Sequence, residues 1–262
     1  MNSTDVDFGE HILFKVDKRF GIITLNRTHR SNALTIDFLE NLLKAVKYCQ
    51  NTEKIRGVML TNNGTSFSTG MDLDYIDGSD HDAVKKLEGT AAEICQILFN
   101  GKPSICAVNG RTMGEGVVFL ICCDYRLATQ ESFFQMPEIY SGIFPGTGCT
   151  ILFSKILGIS WAKRLLMFSE RIDAAKALDI NLIDKKVESK EILMDKALNK
   201  ARFLFTKNQP VLNLIKLCVN NLVDVPYREA YEIEKKASAW YEHKDKDEFL
   251  KQFRELFSNS EF

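Results

Sequence analysis

The sequence has no long apolar run, no excess of charge of either sign and no low-complexity linker. Each absence closes a class of function. Without a stretch of about 18 to 20 apolar residues there is no candidate membrane span. With 34 Lys plus Arg against 35 Asp plus Glu, the net charge is −1, which calls for neither a nucleic-acid partner nor an anionic membrane surface. The four histidines lie far apart, and no C-x-x-C pair accompanies them, so a zinc site has no ligand set. Seven cysteines are an odd number set among apolar neighbours, as expected of buried thiols in a reducing compartment. Cys122 and Cys123 are adjacent on a helix and point to different faces, which rules out a disulfide between them. The acidic start "MNSTDVDFGEHILFKVD" lacks the apolar core of a signal peptide, and the closing "NSEF" is no peroxisomal address. The expected location is cytoplasmic.

What is present is an α/β pattern. "ILFKVD" and "GIITLNR" alternate around Arg19-Phe20-Gly21, predicting a hairpin. "TIDFLENLLKAVKYCQN" has helical spacing with Thr35 as its cap and Asp37 in the first turn. "IRGVMLTNN" reads as a strand, "GTSFSTGMDLDYIDGSDHD" as irregular, and residues 81–99 as a helix. "KPSICAVNG" reads as a buried strand ending at Gly110, followed by an apolar helix from Gly114 and two extended pieces, "DYRLAT" and "SFFQMPE". That order implies layers joined by crossovers. From Thr147 the pattern turns mostly helical: 147–158, 160–168, 173–179, 188–206, 209–223, 226–242 and 246–257.

Two glycine-bearing turns carry the chemistry. "FSTGMDL" (67–73) follows one strand, and "NGRTMGEG" (109–116) follows another and opens a helix. Gly110, Gly114 and Gly116 do not have the spacing of a dinucleotide fingerprint. Alone, each turn reads as structural. Together, two such turns from neighbouring strands would aim two backbone N–H groups at one oxygen, the geometry of an oxyanion hole.

The set "FSTGMDL", "AVNGRTMGEG…CDYRLAT" and "FFQMPEIYSGIFPGTGCT" resembles the crotonase (enoyl-CoA hydratase/isomerase) superfamily. "ITLNRTHRSNAL" and "AKRLLMFSERIDAAKALDINLIDKKV" extend the likeness over roughly residues 10 to 257. The resemblance implies an α/β fold, a spiral of ββα repeats, over residues 1–205. A C-terminal helical trimerisation module would then span 206–262, giving a homotrimer or dimer of trimers. It implies an acyl-CoA substrate, with coenzyme A as part of that substrate and no separate cofactor. The thioester oxygen would be held by the N–H groups of Met71 and Glu115, with Thr69, Gly70, Leu73, Gly114 and Val118 around the acyl group. Arg30 would lie near the CoA phosphates. Tyr75 would line the acyl tunnel or pack in the core, and Lys251 would reach a neighbouring subunit's nucleotide.

The family's hydratases use two glutamates. The second position is Glu138; the first falls on Val118, which cannot move a proton. One base suffices to take a proton from C2 and return it at C4, so the pattern resembles that of 3-enoyl to 2-enoyl-CoA isomerases, which also share "CDYR". Pro137 before the glutamate is a hydratase feature. Glu115 stands where the family has glycine; the expected arrangement has its carboxylate pointing away from the site, favouring the helix N-terminus. The alternative is that Glu115 is a displaced second acid, which restores hydration. A non-catalytic acyl-CoA-binding relative and an RNA-binding relative are the remaining alternatives, the latter disfavoured by the balanced charge. Phe144, Gly146 and Gly148 occupy the places where other branches keep a catalytic aspartate.

Overall fold

The computed structural model describes residues 6–258, so the readings of the first five residues and of the terminal Asn-Ser-Glu-Phe lie outside the described residues. The chain divides into two compact units, 1–205 and 206–262.

In the first unit, β1 (Ile12–Asp17) and β2 (Phe20–Leu25) form an antiparallel hairpin. Its turn falls on Lys18 and Arg19, both at positive φ (46° and 67°), the conformation that matches strand twist in a two-residue turn. The turn is therefore slightly earlier than the alternation suggests. After α1 (Ile36–Asn51), capped as expected by Thr35 accepting from the Phe38 N–H at 3.4 Å, come β3 (Gly57–Asn62), β4 (Ser66–Ser68), α2 (Leu73–Asp77) and α3 (His81–Asn100). Then follow β5 (Ser104–Val108), β6 (Arg111–Met113), α4 (Glu115–Ile121), β7 (Tyr125–Thr129), β8 (Phe133–Gln135) and α5 (Cys149–Met167). The unit closes with β9 (Ile172–Asp173), α6 (Ala174–Asp179), β10 (Lys185–Val187) and α7 (Lys190–Phe205).

The strands sort into two sheets. The larger has the order β1-β2-β3-β5-β7-β10, parallel from β2 onward. The smaller has the order β4-β6-β8-β9, parallel except for its last pair. The chain therefore lays a strand in the large sheet, a strand in the small sheet and then a helix, three times over: β3-β4-α3, β5-β6-α4, β7-β8-α5. Strands β3 and β5 are buried along their whole length, as parallel strands covered on both faces must be. Period-two alternation splits their side chains. Ile22, Met59, Ile105 and Ala107 share one cluster with Leu193, Ala197 and Ala201 of α7. Ile23, Leu60, Cys106 and Val108 share the other with α1 and α3 residues such as Leu42 and Ile94.

In the second unit, α8 (Gln209–Asn221), α9 (Tyr227–Ser238) and α10 (Lys246–Ser258) enclose a small core of Leu214, Leu217, Ala237, Phe249 and Phe253. All seven cysteines are free. Cys122 neighbours Cys95, whereas Cys123 neighbours Cys106, so the adjacent pair does diverge.

Candidate active site

The parallel pairing of β4, β6 and β8 puts their C-terminal ends side by side, where ligands of α/β sheets collect. Met71 follows β4, Gly114 and Glu115 follow β6, and Glu138 follows β8. Two glycines let the first two turns approach. Gly70 (φ 82°) and Gly114 (φ 52°) both occupy backbone regions that side chains disfavour. A Cβ placed on Gly70 would lie 3.4 Å from Gly114 Cα and 3.5 Å from Glu115 N. One placed on Gly114 would lie 2.8 Å from Glu138 Oε1. The first two turns meet through bare backbone, and the Glu138 carboxylate closes over Gly114.

The first turn is held from outside. Leu34 donates its N–H to Gly70 O and accepts from the Asp72 N–H, both at 2.9 Å. Those bonds bracket Met71 and leave its own N–H without an acceptor among the described residues; the Glu115 N–H, at the start of α4, is likewise unpaired. Asp72 is clamped by Arg27 (2.7 Å) and Arg30 (3.0 Å). Burial pushes the Asp72 carboxyl up, but the two guanidiniums outweigh it and hold it below the ordinary aspartate range. Arg30 also pairs with Asp74. Its charge is thus engaged by two carboxylates, and it stands outside the cavity lining.

Glu138 opens the 3-10 turn Glu138–Ser141 after Pro137. Its Oε2 is buried and has no hydrogen-bond partner. Burial raises its carboxyl above the ordinary glutamate value, against the opposing effect of its own backbone N–H. Val118, 1% exposed, presents only aliphatic surface.

Glu115 departs from expectation. Its side chain does not point away from the site: it is 6% exposed, in a helix whose seven residues are all buried, and it shares one cavity wall with Thr147. Its Oε2 accepts from Thr147 Oγ1 at 2.8 Å and its Oε1 from Cys95 Sγ at 3.4 Å. α4 packs between α3 and α5, so a side chain at its first turn is drawn inward by those two donors. Burial pushes the Glu115 carboxyl up to about 7, helped by the negative Glu138 and Glu88 and moderated by the Thr147 and Cys95 hydrogen bonds.

These turns line a cavity of about 450 Å³. Thr69, Gly70, Met71, Leu73, Gly114, Glu115, Val118 and Glu138, all anticipated from the sequence, contribute to its wall. The wall formed by Val84, Leu87 and Glu88 of α3, and Thr147 at the opposite side, was not anticipated. Their only sequence signal is the helical spacing that leaves Leu87 inward. Tyr75 packs on the core instead of lining the cavity, and Lys251 is an exposed residue of α10. Among the described residues no cluster of three or more His, Cys, Asp or Glu side chains is arranged to hold a metal.

The family model for enoyl-CoA hydratase/isomerase matches residues 17–258. The chain belongs to the enoyl-CoA hydratase/isomerase family. It is 28% identical over 227 residues to a crotonyl-CoA hydratase of Syntrophomonas wolfei, covering 86% of this chain and 87% of that protein. It is 29% identical to a trans-2-decenoyl-[acyl-carrier-protein] isomerase of Streptococcus mutans, covering 71% and 73%. The crystal structure of the Bacillus anthracis enoyl-CoA hydratase superposes with a TM-score of 0.84 at 26% identity, covering 94% of this chain and 97% of that one. The fold is accordingly the crotonase fold. Both reaction types, hydration and isomerisation, occur among the names of these relatives.

Proposed function

We propose that this member of the enoyl-CoA hydratase/isomerase family shifts an acyl-CoA double bond from the 3- to the 2-position. The observation that carries the reading is the partnerless, buried Glu138 Oε2 beside two unpaired N–H groups, with Val118 in place of the hydratases' other acid. Glu138 in its charged form takes a proton from C2 of the 3-enoyl thioester. The electron pair delocalises toward the thioester oxygen, which accepts from the Met71 and Glu115 N–H groups. Glu138 then returns the proton at C4, leaving the conjugated 2-enoyl thioester. Coenzyme A enters as part of the substrate, and no separate cofactor is needed.

Two features support an enzyme over a binding-only relative. A buried carboxylate without a partner is costly to keep, and Glu138 lines the same cavity as Met71 and Glu115. The balanced charge leaves no basic face for RNA. Isomerisation of 3-enoyl-CoA, followed as the rise of conjugated enoyl-thioester absorbance, is the expected wild-type activity. Glu138→Gln keeps the shape and removes the base, lowering turnover by on the order of 10² or more. Retention of most activity in that variant would remove Glu138 from the mechanism.

A further inference from the structure

We propose that the Glu115 side chain is a second proton-transfer group, which gives this site an additional activity: adding water to the 2-enoyl thioester. This rests on the reading above for the oxyanion hole and for Glu138, and adds a carboxyl group to them. The geometry is specific. Glu115 sits one residue after Gly114, over which Glu138 Oε1 lies, so the two carboxyl-bearing residues flank the same turn. Its Oε2 is bonded to Thr147, and both residues line the cavity. The groups facing it are Thr147, both Cys95 and Glu88 from α3, Glu138 from its 3-10 turn, and Cys149 from the start of α5. No cation is among them. A carboxyl group there keeps its proton to higher pH than an exposed glutamate, which suits it to donate one, while Glu138 has no hydrogen bond to satisfy its free oxygen.

In the proposed step, charged Glu138 takes a proton from a water molecule as the water oxygen bonds to C3. The C2–C3 double-bond electrons move toward the thioester oxygen, and C2 then takes its proton from the Glu115 carboxyl. Glu138 ends protonated and Glu115 charged; one proton passes from the former to the latter through solvent, and the net change is one water added. Glu115 would thereby perform, from the first turn of α4, the proton delivery for which Val118 has no group.

The test compares two rates on each protein: hydration of 2-enoyl-CoA and isomerisation of 3-enoyl-CoA. Their ratio cancels any loss common to both, such as disturbed backbone donors or partial unfolding. Wild type should hydrate, and Glu115→Gln should lower the hydration-to-isomerisation ratio by on the order of 10² or more. A ratio within about threefold of wild type overturns the proposal, as does wild type that isomerises without hydrating; the latter leaves the isomerase reading standing, whereas failure of both activities sinks that reading too. Thr147→Val supplies a second readout. The Thr147 hydrogen bond favours the charged form of Glu115, so its removal should move the alkaline limb of the hydration pH profile upward. An unmoved limb in a folded Thr147→Val protein would assign that limb elsewhere and overturn the role of Glu115.

Discussion

In the proposed mechanism Glu115 carries two features that oppose each other: an amide N–H offered to a developing oxyanion, and a buried carboxyl that would repel it when charged. Keeping that carboxyl protonated resolves the conflict, and it leaves a signature in stability. The folded carboxyl is raised from 4.5 to about 7, so between those values the unfolded chain ionises Glu115 while the folded protein does not. Stability attributable to this group is therefore intact below about pH 4.5 and lost as pH rises through about 7, a change of about 3 kcal/mol by linkage. Glu115→Gln cannot ionise. Its thermal midpoint relative to wild type should rise between about pH 5 and pH 8; a constant difference would place the Glu115 carboxyl in a polar, charged state. The residue also marks the limit of what the sequence discloses about the site. Glu138, Met71 and Val118 are legible because their motif spacing is rigid. The direction of the Glu115 side chain is not, because it depends on Thr147 and Cys95, which lie 32 and 20 positions away. Arg30 shows the same limit: its pairing with Asp72 and Asp74, 42 and 44 positions away, is not legible in a loop sequence.

At the scale of elements, the site is made by the ends of three short strands. The apolar strands β3 and β5 announce themselves in the sequence, and so does the break in α5, whose Gly158 is non-helical (φ 80°). Of the small sheet only β8 does, within the extended piece "SFFQMPE". Strands β4, β6 and β8 have three residues each and β9 has two, too few for a period-two pattern to appear. Yet it is their parallel pairing that brings Gly70 to Gly114. Gly70→Ala tests that contact. The added methyl would sit 3.2 Å from Met113 O and 3.5 Å from Glu115 N, at a φ of 82°, and would stand between the two unpaired donors. Substrate turnover should fall by about 10² to 10³, as when an oxyanion donor is lost, together with about 1 to 3 kcal/mol of stability from backbone strain. A Gly70→Ala protein with wild-type kcat/KM would show that the thioester oxygen is held elsewhere.

At the scale of the whole molecule, each unit presents apolar surface to solvent that its own core does not use. In the first unit Phe144, Ile151, Ile159, Met167 and Phe168, in and just around α5, are exposed. In the second, Val219 and Val223 are each 67% exposed, and Tyr227 is more so. Scattered single residues of this kind are ordinary, but runs of them along helices are the mark of surfaces covered in an assembly. The small core of the C-terminal unit points the same way, since a segment running only from Thr206 to Phe262 buries too little apolar area to be strongly stable unaided. We therefore expect the full chain to assemble as a closed ring of three copies, or two such rings, because closure is what stops a repeated apolar contact from propagating. Sedimentation at micromolar concentration should give three or six chains. Val219→Glu combined with Val223→Glu places charge on that surface and should shift the population toward smaller species without altering the cavity residues of the first unit. A wild-type monomer at that concentration would leave both apolar surfaces to some other cover.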